Sequence, residues 1–308
     1  ETHPLSIGIV GARGATSFSN GMVADADCYF FIGSSTDSAG TDKWKVPALD
    51  TDKPVIQLDA SENELGNNYP AGVLLLGDAK ATLKALLERA GEGSKSNGFA
   101  EEIAEKKAAY LATLDEGLAD ASFPIHPMRL GSELEKGAPK DALYAVAPGI
   151  SAVYPASFMK VDRPGRTFVC NFAQGALGYA TSAAVGVAKA APGQCVVNIT
   201  GDGSFGFCAG EFETIARTGV NVKIILINNR SFGWIRVTNS LTYNNEPFAT
   251  DFSDMDYLKT IEGLGIPSFR AESAEELGEV LARAFAVDGP AFVEIPAEPE
   301  DRCVPAVP

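Results

Sequence analysis

Short apolar runs that stop on a glycine or a polar side chain recur along the chain, and stretches of helical spacing lie between them. In the first third the runs are Cys28 to Ile32, ending on Gly33, Val55 to Leu58, ending on Asp59, and Val73 to Leu75, followed by Gly77-Asp78. Each predicts a strand, because β-branched and aromatic residues bounded by turn formers suit a pleated surface. Helical spacing is clearest over Ala79 to Ala90, where Leu83, Leu86 and Leu87 share one face. Later strands are expected at Leu143 to Ala147, Phe168 to Cys170, Cys195 to Thr200, Val222 to Ile227, Ser268 to Arg270 and Ala291 to Ile295. Helices are expected near Pro127 to Lys136, Gly210 to Thr218, Met255 to Leu264 and Ala274 to Ala286. This alternation predicts an α/β fold of two parallel-sheet, Rossmann-like domains. The first spans 1–92, an interdomain connection with one helix at Ala100 to Leu114 spans 93–123, and the second spans 124–308. The first domain reads as incomplete, without its opening strand or strands. An open sheet edge of that kind needs another stretch of polypeptide to fill it. The tail, Cys303 to Pro308, is proline-rich and reads as extended.

At 308 residues the chain is long enough for two cores. A formal charge of −15 and a pI near 4.6 argue against nucleic-acid or anionic-membrane binding. No apolar run approaches the ~20 residues of a membrane span. Five scattered cysteines, odd in number and mostly inside apolar runs, read as buried thiols of a cytoplasmic, reducing compartment. Gly8-Ile9-Val10-Gly11-Ala12-Arg13-Gly14 is a tight turn rather than a dinucleotide fingerprint, since its spacing lacks the initial G-x-G and no strand precedes it. His126, just before Pro127, reads as a turn or capping residue.

The densest candidate chemistry lies between Asn198 and Arg236. A β-rich run empties into Gly201-Asp202-Gly203-Ser204, where two glycines let backbone N–H groups close on an anion. The next apolar run ends on Asn228-Asn229. Two parallel strands joined by a helix bring both carboxyl ends to one sheet edge, so Asp202 and Asn229 are expected to share a hard cation. Mg²⁺ suits such a pair, because it takes oxygen ligands and leaves room for the phosphates of a bound molecule.

This G-D-G followed by N-N resembles the diphosphate-binding motif of thiamine diphosphate enzymes. The chain is similar to the middle and C-terminal domains of their acetohydroxyacid synthase and pyruvate oxidase group, and its second domain is identified as a thiamine diphosphate-binding fold. The resemblance is carried by motifs from Gly149 to Arg236 and by pattern alone from Glu1 to Ala90. It implies that Asp202, Asn229 and the carbonyl of Ser231 ligate Mg²⁺. Gly201, Gly203 and Ser204, with Gly149 and Ser151 from an earlier loop, would take the diphosphate. Leu177 falls where the family wedges an apolar residue between the cofactor rings, and Gly175 where a backbone carbonyl holds the 4′-amino group. The wedge enforces a bent conformer in which the cofactor removes its own C2 proton. Phe232 and Gly233 would lie by the thiazolium, while Trp234 either shapes an acceptor pocket or packs. Arg236 either meets a substrate carboxylate or is solvated. Ser34 to Gly40 lacks the G-A-R-F-D pattern of the flavin-containing synthases, so FAD is left out.

The resemblance implies carbon–carbon bond formation or cleavage on a 2-oxo acid, first as an acetolactate synthase-like carboligase. The alternatives are a 2-oxo acid decarboxylase, a 2-hydroxyacyl thioester lyase, or a catalytically silent cofactor-binding subunit. In the family the activating glutamate sits on a pyrimidine-binding domain that this sequence does not contain. The chain is therefore expected to be one piece of a split or cleaved enzyme. Its partner would be an N-terminal chain or fragment bearing that domain and glutamate, with such pairs forming dimers or tetramers.

Overall fold

The structure, a computed structural model, describes all residues except 1, 13, 92, 94–97, 162, 164, 173, 244–247 and 300–308. The tail from Cys303 to Pro308 lies outside the described residues. The chain divides into two compact units, Glu1–Thr113 and Leu114–Pro305.

The first unit carries strands β1 (Tyr29–Ile32), β2 (Val55–Asp59) and β3 (Val73–Leu76), paired in parallel in the order β1-β2-β3. All three fall where the apolar runs predict them. Helix Ser17–Asp25 precedes them, started by Thr16, whose side chain accepts from Ser19 N–H while the Ser19 hydroxyl accepts from Thr16 N–H. Helix Ala79–Ala90 follows β3, and helix Phe99–Ala112 packs on the first helix through Phe18 and Tyr110, ring centroids 6.0 Å apart, and Lys106 and Asp25 at 2.7 Å. Tyr29, Val55 and Tyr69 form a small buried cluster on one side, and Leu58 is buried on the other. The edge strand β3 stays apolar and open on both faces: Val73 and Leu76 are 48% and 61% exposed. Gly11 makes a close backbone approach, with φ +89° and a Cβ there colliding with the Gly40 carbonyl.

The second unit is a six-stranded parallel sheet. Its strands are β4 (Leu143–Val146), β5 (Phe168–Val169), β6 (Val196–Gly201), β7 (Val222–Asn228), β8 (Ser268–Arg270) and β9 (Ala291–Pro296), in the order β5-β4-β6-β7-β9-β8. Two-residue periodicity sends the side chains of β7 to opposite faces. Ile225 and Ile227 join a core with Leu130, Leu134, Leu277 and Leu281, whereas Ile224 and Leu226 join one with Ala184, Phe212, Ile215 and Ile261. Apolar residues therefore run unbroken from Ile224 to Ile227 along β7, as expected of a strand covered on both faces.

Helix Ile150–Phe158 carries the chain from β4 to β5 on the first of these faces, and helix Tyr179–Ala190 returns it to β6 on the second. The strand order thus reverses between β4 and β6. Two connections leaving in opposite directions open a crevice at the carboxyl ends of those strands, which is where open α/β sheets bind ligands. Helix Pro127–Gly137 begins at His126, whose ring accepts from Met128 N–H at 3.3 Å, so this histidine is a cap.

Candidate cofactor site

Three strand ends meet at the reversal. After β4, Gly149 adopts φ +107° and ψ −160°, a region that only glycine occupies without strain. The buried hydroxyl of Ser151 then donates to the Ala147 carbonyl at 3.3 Å. After β6, Gly201 leads into Asp202, which opens helix Asp202–Cys208 and is 5% exposed. After β7 the chain passes Asn228 and Asn229, turns left-handed at Arg230 with φ +58°, and buries Ser231. Gly201 gauges how close these ends come: a Cβ there would stand 3.8 Å from Ser151 Oγ and 3.9 Å from the Ile227 carbonyl oxygen. At Gly201 the strand ends meet with no side chain between them.

The polar groups at this rim are oxygen donors. Asp202 Oδ1 accepts from Gly203 N–H at 2.7 Å, and Asn229 Oδ1 accepts from Ser231 N–H at 3.2 Å. Among the described residues no three His, Cys, Asp or Glu side chains gather as a metal cluster. One carboxylate, one amide oxygen and one backbone carbonyl do not make a zinc site, but they fit a hard cation whose remaining positions are filled by phosphate oxygens. A nearly buried carboxylate is costly without a compensating charge, which a cation at Asp202 would supply. The Tyr257 hydroxyl reports that field: burial first, then the charges of Asp202 and Glu294, pushes it up to about 12.

Aromatic rings cover the Asp202-Gly203 turn. A Cβ on Gly203 would stand 2.7 Å from Cδ1 of Phe232, whose ring lies edge-on to Phe252 at 4.5 Å and to Phe207 at 6.5 Å. The segment around Thr250 straps this loop, since Phe232 N–H donates to the Thr250 carbonyl at 2.9 Å and Phe252 N–H to the Arg230 carbonyl at 2.8 Å. On the other flank, Gly178 caps helix Tyr179–Ala190 at φ +84°, and a Cβ on it would sit 3.1 Å from Cβ of Phe207. Half-buried Leu177 and exposed Gly175, at φ +63°, are therefore on the loop running beside helix Asp202–Cys208. Gly233 starts helix Gly233–Thr242, and the Trp234 ring packs with Ile150, Tyr154 and Phe158. Arg236 pairs with Asp251 at 3.1 Å.

The structure thus gathers Gly149, Ser151, Gly201 to Ser204 and Asn229 to Phe232 around one rim, with Leu177 alongside. Sequence reasoning missed the Thr250 strap and the bond between Asn228 Nδ2 and Glu294 Oε1 at 2.7 Å. Both join positions far apart in the chain, and no local spacing encodes them.

Comparison with known proteins identifies the family of both domains. The C-terminal TPP binding domain of thiamine pyrophosphate enzymes matches residues 148–295, and the central domain of the same enzymes matches residues 1–86. A probable acetolactate synthase large subunit of Methanococcus aeolicus is 28% identical over 97% of this chain and 51% of its own length. The acetolactate synthase large subunit of Corynebacterium glutamicum is 30% identical over 96% of this chain and 47% of its own length. The chain spans about half the length of the curated relatives it matches. With the strand-order reversal, the paired strand ends and both domain matches in agreement, the chain belongs to the thiamine pyrophosphate enzymes, of which it carries the central domain and the C-terminal cofactor-binding domain.

Proposed function

We propose that this chain is the cofactor-binding part of an acetolactate synthase-like carboligase acting on a 2-oxo acid, with Mg²⁺ as the metal. The observation that carries the reading is the convergence of Ser151, Gly201 and Ile227 at the sheet's reversal, beside a carboxylate and an amide fit for a cation. Asp202, Asn229 and the Ser231 carbonyl would hold the metal, while Gly201, Gly203, Ser204, Gly149 and Ser151 would face the diphosphate. When bound, the thiamine group supplies a nucleophilic carbon and an electron sink for the bond broken or made next to a carbonyl. Gly175 and Leu177 would orient its rings. Phe232 and Gly233 would exclude water at one side, and Trp234 would border the acceptor.

The acetolactate synthases among the relatives support carboligation, and the free thiols of Cys28, Cys170, Cys195 and Cys208 fit a cytoplasmic setting. Among the described residues no helix is long and apolar enough to cross a membrane. The exposed apolar edge strand of the first unit, with Val73, Leu74 and Leu76, supports a further stretch of polypeptide packing there. That stretch would bring the pyrimidine-binding domain and its activating glutamate, as a separate chain or as part of a longer one.

The test is calorimetric titration of thiamine diphosphate with and without Mg²⁺, followed by pyruvate turnover read as acetolactate against acetaldehyde. Metal-dependent binding lost in Asp202→Ala, with acetolactate as product, is expected. Metal-dependent binding retained in that variant refutes the metal assignment, and acetaldehyde alone makes the protein a decarboxylase.

A further inference from the structure

Glu294 stands inside β9 between the core residues Val293 and Ile295 and is 1% exposed. A carboxylate in a covered strand is expensive to bury and persists where hydrogen bonds or an opposite charge compensate it. Its compensation points at the loop that follows β7. Oε1 accepts from Asn228 Nδ2 at 2.7 Å, and Oε2 faces Arg270 at 3.6 Å. Only the NH₂ end of the Asn228 amide can face a carboxylate, so its carbonyl end must turn the other way. There Asn228 Oδ1 accepts from Arg230 N–H at 3.2 Å.

Arg230 is the left-handed residue of this loop, at φ +58°, a conformation that a non-glycine residue keeps when its surroundings hold it. Asn229 and Ser231 flank it. The direction in which the Asn229 amide and the Ser231 carbonyl point is therefore shaped by the Arg230 kink, which Asn228 holds at the N–H and the Phe252 N–H holds at the carbonyl. On the far side the Arg230 guanidinium pairs with Asp254 at 2.8 Å. A cavity of about 320 Å³ opens there, lined by Asn228, Arg230, Asp254, Tyr257, Arg270 and Glu294.

We propose that Glu294 is a positioning residue for the metal site, fixing the Asn228 amide so that the Arg230 kink aims Asn229 and the Ser231 carbonyl at the cation. The proposal rests on the assignment of Asp202, Asn229 and Ser231 to Mg²⁺. It concerns a residue 65 positions from Asn229 in the chain, as their numbers show (294 − 229).

An exchange of roles tests it. Asn228→Asp sets two carboxylates against each other across a 2.7 Å contact and removes the amide that donates across it, which favours opening of the loop. In the double variant Asn228→Asp with Glu294→Gln, position 294 donates and position 228 accepts, and position 228 still takes the Arg230 N–H. Mg²⁺ affinity is measured on the intact protein by calorimetry at saturating thiamine diphosphate, together with the melting temperature. The single variant is expected to bind Mg²⁺ about 10–100-fold more weakly, and the double variant to return to within about threefold of the original, as for residues that orient metal ligands. Wild-type Mg²⁺ affinity in Asn228→Asp overturns the proposal. So does a double variant that melts normally yet binds no better than the single one. Should Asn228→Asp not fold, Glu294→Met, which keeps the length and removes the acceptor, takes its place: weaker Mg²⁺ binding in a folded protein supports the role, and unchanged binding overturns it. Asp202→Asn separates this inference from the one beneath it. If that variant keeps Mg²⁺, the metal assignment itself is wrong. If it loses Mg²⁺ while Asn228→Asp does not, only the role of Glu294 falls.

Discussion

The ring of Phe232 lies against the α-carbon of Gly203, so close that a Cβ there would stand 2.7 Å from Cδ1 and 2.8 Å from Cε1. Phe252 packs edge-on against that half-buried ring at 4.5 Å and the Thr250 strap fixes its backbone, so the ring yields only by giving up these contacts. Gly203→Ala is expected to destabilise the second unit by about 1–3 kcal/mol, as overpacking does. The measurement is a urea midpoint lowered at constant slope. Thiamine diphosphate affinity should fall with it, because the displaced ring is the one beside the Asp202 turn.

Gly178 answers to backbone as well as space. At φ +84°, with Phe207 Cβ 3.1 Å and Cys208 Cβ 3.2 Å from an added Cβ, Gly178→Ala meets strain and crowding together. The left-handed conformation alone costs roughly 1–2 kcal/mol for a residue with a Cβ. Urea unfolding should show a loss at least that large, and Gly186→Ala, in the same helix with nothing near its Cβ, should show none.

Leu177 gives a kinetic prediction. If it orients the cofactor rings, Leu177→Ala lowers kcat by about 100-fold, the cost of a misplacement on the order of 1 Å. The dissociation constant for thiamine diphosphate should hardly move. Unchanged kcat would make this leucine a space filler.

The alkaline limb of stability should carry the mark of Cys195. Burial pushes this thiol up to about 11 from an ordinary 9.0. Below pH 9 it is neutral whether the chain is folded or not and costs nothing. Between pH 9 and about 11 the unfolded chain ionises first, so the folded state loses stability as pH rises, by on the order of 2–3 kcal/mol in total. Lys223 acts in the opposite sense, since burial lowers its amine below 10.5 and its contribution improves as pH climbs toward that value. Cys195→Ala should therefore flatten the fall in unfolding free energy between pH 9 and 11, measured against the parent protein. An identical fall in both proteins would sink this account.

Most strands were legible because each apolar run in this fold ends where the sheet ends. Thr200 before Gly201-Asp202 and Ile227 before Asn228-Asn229 mark those edges in the residues themselves. Helices built on tertiary support were harder to see. Asp202–Cys208 contains Gly203 and Gly206, which argue against a helix by propensity, but Phe205 anchors it between Phe212 at 4.7 Å and Tyr257 at 5.0 Å. Ile150–Phe158 carries Pro155 inside it, a residue that reads as a helix breaker. Ser17–Asp25 is capped by Thr16 with Ser19 in place of the glutamate or glutamine that marks such starts, and Gly21 interrupts it. At the rim, Asp202 and Asn229 stood out through their spacing. The Thr250 strap and Glu294 did not, because hydrogen bonds between distant segments leave no periodic trace.

The reversal of strand order between β4 and β6 also fixes what this sheet cannot do. Connections that depart toward opposite faces leave a trough with two banks and a floor of main chain, and no strand of the same sheet can roof it. A molecule lying there is gripped at its lower end by the sheet, and walls for the rest of it come from outside the sheet, from rim segments such as those of Phe232 and Leu177.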